Sequence, residues 1–99
     1  MQTDPLLPNI IAIPSLVDGT VVEMTFSRRN LFRAVIIRSF QGLFRIRRDR
    51  WDVFDFEIIG KGYWSQDDQG STLTDTIEIA RVLAREKLSE TSDGYDDKS

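Results

Sequence analysis

Leu31-Phe32-Arg33-Ala34-Val35-Ile36-Ile37-Arg38-Ser39-Phe40, then Gln41-Gly42, then Leu43-Phe44-Arg45-Ile46-Arg47-Arg48 is the stretch on which the fold turns. Two runs of alternating apolar and polar residues flank a glycine-containing break, the signature of a β-hairpin. A two-residue Gln41-Gly42 loop would set Phe40 opposite Leu43, Arg38 opposite Arg45 and Ile36 opposite Arg47. Strand side chains alternate between faces, so this register sorts the hairpin into two sides. Leu31, Val35, Ile37, Phe44 and Ile46 form the expected core side. Ile36, Arg38, Phe40, Leu43, Arg45 and Arg47 form the outer side.

Working outward, Val53–Ile59 also alternates, with Phe54, Phe56 and Ile58 against Asp55 and Glu57, and reads as a further strand. A connection at Asp49-Arg50-Trp51 would pair Ile46 with Phe54, Arg45 with Asp55 and Arg48 with Asp52, apolar on apolar and arginine on carboxylate. Upstream, Val17-Asp18-Gly19-Thr20 is a turn signal ahead of a strand Thr20–Phe26. Ile10–Ile13 suits a short strand stopped by Pro14. Residues 60–70 are expected to be loop. From Thr72 or Thr74 to Leu88 the apolar residues Leu73, Ile77, Ala80, Ala84 and Leu88 recur at helical spacing. Thr74 or a neighbour caps the start, and Arg85 and Lys87 suit the negative end of the helix dipole.

The expected fold is therefore α+β. An antiparallel meander sheet of four to five strands carries one principal C-terminal amphipathic helix on one face. Residues 1–9 read as an irregular N-terminal arm, 10–88 as a single domain and 89–99 as an acidic, flexible tail.

The 99 residues, 40 % hydrophobic and 29 % charged, suit one small globular domain whose ligands would sit on a surface or in an interface. With no cysteine and no histidine, disulfides, thiolate nucleophiles, Cys/His zinc sites and imidazole bases are excluded. No cofactor and no metal site is expected. No phosphate-loop motif follows Gly60-Lys61-Gly62, and Asp67-Asp68-Gln69-Gly70 lacks the alternating ligands of a calcium loop. The carboxylates Asp55 and Glu57 have arginine neighbours in the expected register, which suits structure better than acid–base work. The chain is read as not an enzyme. The N-terminus lacks a signal sequence and no run is long enough to span a bilayer, so no membrane partner and a cytoplasmic location are expected.

Charge is polarised. Segment 28–50 holds eight arginines against one aspartate, while 51–99 holds twelve acids against five bases; the whole chain carries −3. An apolar centre at Ile36, Phe40 and Leu43 ringed by Arg38, Arg45 and Arg47 has the anatomy of an interface. Trp51 and Trp64 are candidate anchors beside it. The expectation is a small interaction or assembly protein, associating with itself as a homodimer or with another protein through this outer face. The N-terminal arm, through Leu6, Leu7, Ile10 and Ile11, could alternatively cover it. The rival reading is a nucleic-acid-binding module using the arginine-rich hairpin 28–50. The acidity of the whole chain opposes it.

Overall fold

A computed structural model describes residues 6–14, 18–68 and 72–96. The elements are β1 (Thr20–Phe26), β2 (Phe32–Arg38), β3 (Phe44–Asp52), α1 (Phe56–Ile59), β4 (Tyr63–Gln66), β5 (Thr72–Thr74) and α2 (Ile77–Ser89). The strands form one antiparallel sheet in the order β1-β2-β3-β4, and β5 also pairs with β3. β3 is thus a spine, flanked on one edge by β2 and on the other by β5 and β4 in succession. The α+β class, the meander and the single long helix are as the sequence implies.

The β2–β3 hairpin lies one residue out of the expected register. Arg38 is opposite Phe44, Ile37 opposite Arg45, Ile36 opposite Ile46 and Arg33 opposite Asp49. Ser39 N–H donates to the Leu43 carbonyl at 2.8 Å, and Gly42 N–H donates to the Ser39 carbonyl at 3.0 Å. The loop therefore has three residues, Phe40-Gln41-Gly42, closed by Gly42 at φ 82°. A three-residue hairpin loop with its last residue left-handed is a common solution, and glycine occupies that position without strain. A shift of one residue moves every β3 side chain to the other face relative to β2.

The helix face of the sheet accordingly carries Ala34, Ile36 and Ile46, which are fully buried against Ala80, Ala84 and Leu88 of α2, with Phe32, Phe44, Ile77, Leu83 and Tyr95 packed around them. The expected core partners Val35 and Ile37 are also buried, but on the opposite face with Arg33. β2 is covered on both sides, which explains its nearly continuous apolar run.

Val53–Ile59 is not a strand. β3 continues to Asp52, through residues expected to be a connection. The Asp52 carboxylate then accepts the Phe54 N–H at 2.8 Å, and α1 makes one turn before Gly60 ends it with its N–H on the Phe56 carbonyl. Aspartate offering its side chain to the backbone competes with strand pairing. β4 takes the edge that the alternating segment was expected to occupy, and Phe54 and Ile58 are left in solvent. Ile10–Ile13 is likewise a turn rather than a strand, stabilised by Ala12 N–H on the Asn9 carbonyl and Ile11 N–H on Asn9 Oδ1. α2 starts later than expected because residues 72–74 join the sheet; its cap is Thr76, whose hydroxyl accepts from Ile79 N–H.

Two polar clusters tie distant segments together. Asp93, expected in a flexible tail, is 5 % exposed. Its Oδ2 accepts from the Ser27 hydroxyl at 2.5 Å, Arg29 N–H at 2.7 Å and Leu31 N–H at 3.4 Å, and its Oδ1 accepts from Arg29 Nε at 2.8 Å. Burial alone would raise its pKa, but these donors from Ser27, Arg29 and Leu31 outweigh it and hold the carboxyl at about 2. The ordered chain thus extends past the helix through Tyr95, fastening the β1–β2 connection. At the other end Arg48 pairs with Asp67 at 3.0 Å and its Nη1 donates to the Lys87 carbonyl, while Lys87 pairs with Asp68 at 2.7 Å. Asp67 and Asp68 thus join β3 to the end of α2.

Candidate functional site

The face of the sheet away from α2 collects the chemistry. Alternation along β3 places Arg45, Arg47, Asp49 and Trp51 there, β2 adds Arg33, and β1 adds Met24 and Phe26 through their pairing with Val35 and Arg33. Trp64 of β4 stands directly opposite Trp51; their rings meet edge-on with centroids 5.2 Å apart, and Phe26 lies 6.1 Å from Trp64. Gly62 permits this close packing, because a Cβ there would lie 2.5 Å from the Trp51 ring.

Asp49 is the hub. Its Oδ2 accepts from Arg33 Nε at 2.8 Å, and both its oxygens accept from Arg47, at 3.0 and 3.1 Å. All three side chains are buried. A buried carboxylate gripped by two planar guanidinium groups is the arrangement in which buried charge is tolerable. Burial lowers the pKa of Arg33, and the Arg47 charge adds to this, while the hydrogen bond and charge of Asp49 oppose it. The Arg33 guanidinium also sits 4.4 Å above the Trp64 ring, a cation–π contact.

The N-terminal arm lies over these groups. Trp51 Nε1 donates to the Leu6 carbonyl at 2.9 Å, Trp64 Nε1 to the Asn9 carbonyl at 2.8 Å and Arg33 Nη1 to the Ala12 carbonyl at 2.7 Å. Three side-chain donors from the sheet read every third main-chain carbonyl of the arm. The arm's own side chains are used little in this: Leu7 is 60 %, Ile11 82 % and Ile13 86 % exposed. Beside the arm remains a cleft of about 420 Å³, walled by Trp51, Tyr63, Trp64 and the arm, with Arg33, Arg47 and Lys61 on its lining. Tyr63 donates its hydroxyl to Asp55 at 3.1 Å, a bond that raises the phenol pKa.

Of the residues singled out by sequence, Arg47, Trp51 and Trp64 come together here, and Arg45 shares their face. The others do not join them. Ile36 is fully buried under α2, Arg38 lies on the helix side of the sheet, and Phe40 and Leu43 belong to the hairpin loop and its return, with Phe40 88 % exposed. The six hairpin residues are therefore not one surface, because the third loop residue puts Arg38 and Arg45 on opposite sides. The arm does cover a sheet face, but the tryptophan face. Arg33, Asp49, Lys61 and Asn9 were not singled out as site residues. A signal for the first two existed: the three-residue loop sets arginine against aspartate and Ile36 against Ile46, whereas the two-residue loop sets Arg38 against Arg45, a like-charge pair.

Of the eight arginines in 28–50, five (Arg29, Arg33, Arg47, Arg48 and Arg50) are paired with carboxylates of the chain itself. Among the described residues, no group of acidic side chains is arranged to hold a metal ion, and no helix is long and apolar enough to cross a membrane. Comparison of the chain with family models, with curated proteins and with solved structures gave no match.

Proposed function

We propose that the chain is a non-catalytic interaction module that self-associates through the N-terminal arm and the tryptophan-bearing sheet face beneath it. The observation that carries this reading is the manner in which the arm is held. Its carbonyls are anchored to Trp51, Trp64 and Arg33, while Leu7, Ile11 and Ile13 point to water. A segment fixed by its backbone and displaying a row of aliphatic side chains is a contact surface awaiting apolar cover. Because every copy carries the same surface, an isologous dimer is the simplest way to cover it.

Sedimentation velocity tests the proposal. The expected result is a dimer at high micromolar concentration that Leu7→Asp with Ile11→Asp converts to monomer, with unchanged far-ultraviolet circular dichroism. A wild-type monomer throughout that range overturns it. Nucleic-acid binding along 28–50 draws less support, since most of those guanidinium groups already hold carboxylates of the chain.

A further inference from the structure

The cleft beside the arm has features that self-association does not use. Its volume, about 420 Å³, falls in the range of small-molecule sites. The side chains of Trp51 and Trp64 stand on its sheet face, and Tyr63 borders it, its own side chain alternating away toward Asp55. Both indole N–H groups are already donated to arm carbonyls, and the Tyr63 hydroxyl to Asp55, so the walls offer ring surface rather than donors. The charge on the lining is biased. Arg33, Arg47 and Lys61 face one carboxylate, Asp49, and that carboxylate is spent on the two arginines. Lys61 is exposed at the cleft and, among the described residues, forms no ion pair or hydrogen bond. On a chain of net charge −3 this is a local positive spot enclosed by aromatic walls.

We propose that this cleft binds a small organic anion bearing a flat aromatic ring, the ring packed against the joined Trp51 and Trp64 side chains and the anionic group toward Lys61. The two parts of the site select the two parts of the ligand. Aromatic walls accept any planar ring, and the cationic lining discriminates between an anion and its neutral analogue. A ligand cation is disfavoured by the same three positive side chains. The arm contributes Asn9, Ala12 and Ile13 to the lining, so the site is complete only with the arm docked. The cleft does not depend on dimer formation: of the displayed arm residues only Ile13 lines it, and neither Leu7 nor Ile11 does.

The experiment uses the full chain and a pair of dyes, 8-anilinonaphthalene-1-sulfonate and its neutral relative N-phenyl-1-naphthylamine. The two tryptophans of the chain both line the cleft, so indole emission reads binding, while the Lys61 variants locate it, because energy transfer to either dye reaches across a chain of this size. The sulfonate is expected to quench indole emission saturably at one per chain, with the neutral dye at least roughly tenfold weaker. Lys61→Met, an exposed substitution, is expected to weaken the sulfonate about tenfold, as for loss of one charge-assisted contact, and Lys61→Arg to restore it. Equal binding of the two dyes, or no effect of Lys61→Met, overturns the proposal. Insensitivity to Lys61→Met would place the dye elsewhere, on an exposed apolar patch such as Phe54 and Ile58. Failure of the Leu7→Asp, Ile11→Asp test would leave these readings untouched, so the two ideas fail separately.

Discussion

Replacing Asp93 by asparagine isolates the contribution of one buried charge. In the folded chain the carboxyl has a pKa of about 2, against an ordinary value of 3.8. Ionisation is therefore favoured by folding, and the stabilisation is complete above the ordinary value and lost as pH falls through the folded one. The difference of about 1.8 pH units corresponds to about 2.4 kcal/mol at neutral pH. Arg29, one of the donors, is 72 % exposed at its side chain, so screening by water brings the expectation to about 1–2 kcal/mol. The asparagine can place its carbonyl where Oδ2 stood and keep the bonds from Ser27, Arg29 N–H and Leu31, losing chiefly the charge and the Arg29 guanidinium. Urea unfolding followed by circular dichroism should show the variant less stable by that amount at pH 7, by roughly half of it at pH 3 and by little at pH 2. A penalty of the same size at pH 7 and pH 2 would refute the argument, because it would then arise from shape rather than charge.

Other outcomes follow from the same geometry. Asp49→Asn leaves Arg33 and Arg47 buried without their counter-charge and should cost about 3–5 kcal/mol in urea unfolding. Asp49→Leu combined with Arg33→Met should cost less than the two single changes added together. Gly62→Ala drives a methyl into the Trp51 ring, so a loss of about 1–3 kcal/mol and a shift in indole emission are expected. Thr76→Ala removes the α2 cap and should lower stability by about 1 kcal/mol, seen as a lower thermal midpoint.

The helix was legible because Ala80, Ala84 and Leu88 recur at a spacing that only a helix turns to one side, and all three are buried. The hairpin was legible as a hairpin but not in phase. Gln41-Gly42 suits a two-residue loop, and Gly42 suits equally the last position of a three-residue one; the choice inverts which β3 residues meet α2. That single residue separated the expected surface into buried Ile36, solvent-facing Arg38 and the Asp49-bound Arg47. Val53–Ile59 misled for a different reason. Its alternation is genuine, but Asp52 folds its carboxylate onto Phe54 N–H, and Tyr63–Gln66 takes the edge of β3. Asp93 could not have been found by pattern. Its partners at 27–31 lie more than sixty residues away, and acidic, glycine-containing ends are ordinarily loose.

The shared edge of β3 limits how this sheet can grow. β5 covers residues 44–46 and β4 covers 49–52, while Arg48, in the gap between them, donates its N–H to the Asp68 carboxylate and its carbonyl accepts the Asp67 N–H. Among the described residues, the outer edges of β1, β4 and β5 have no neighbouring strand, and the pairing of β1 with β2 is irregular between Val21 and Glu23. β4 and β5 have only four and three residues, so each offers an incoming strand a short ladder. β1, with seven residues, is the longest open edge, so an added strand would find its longest ladder there and only an interrupted one on the opposite side.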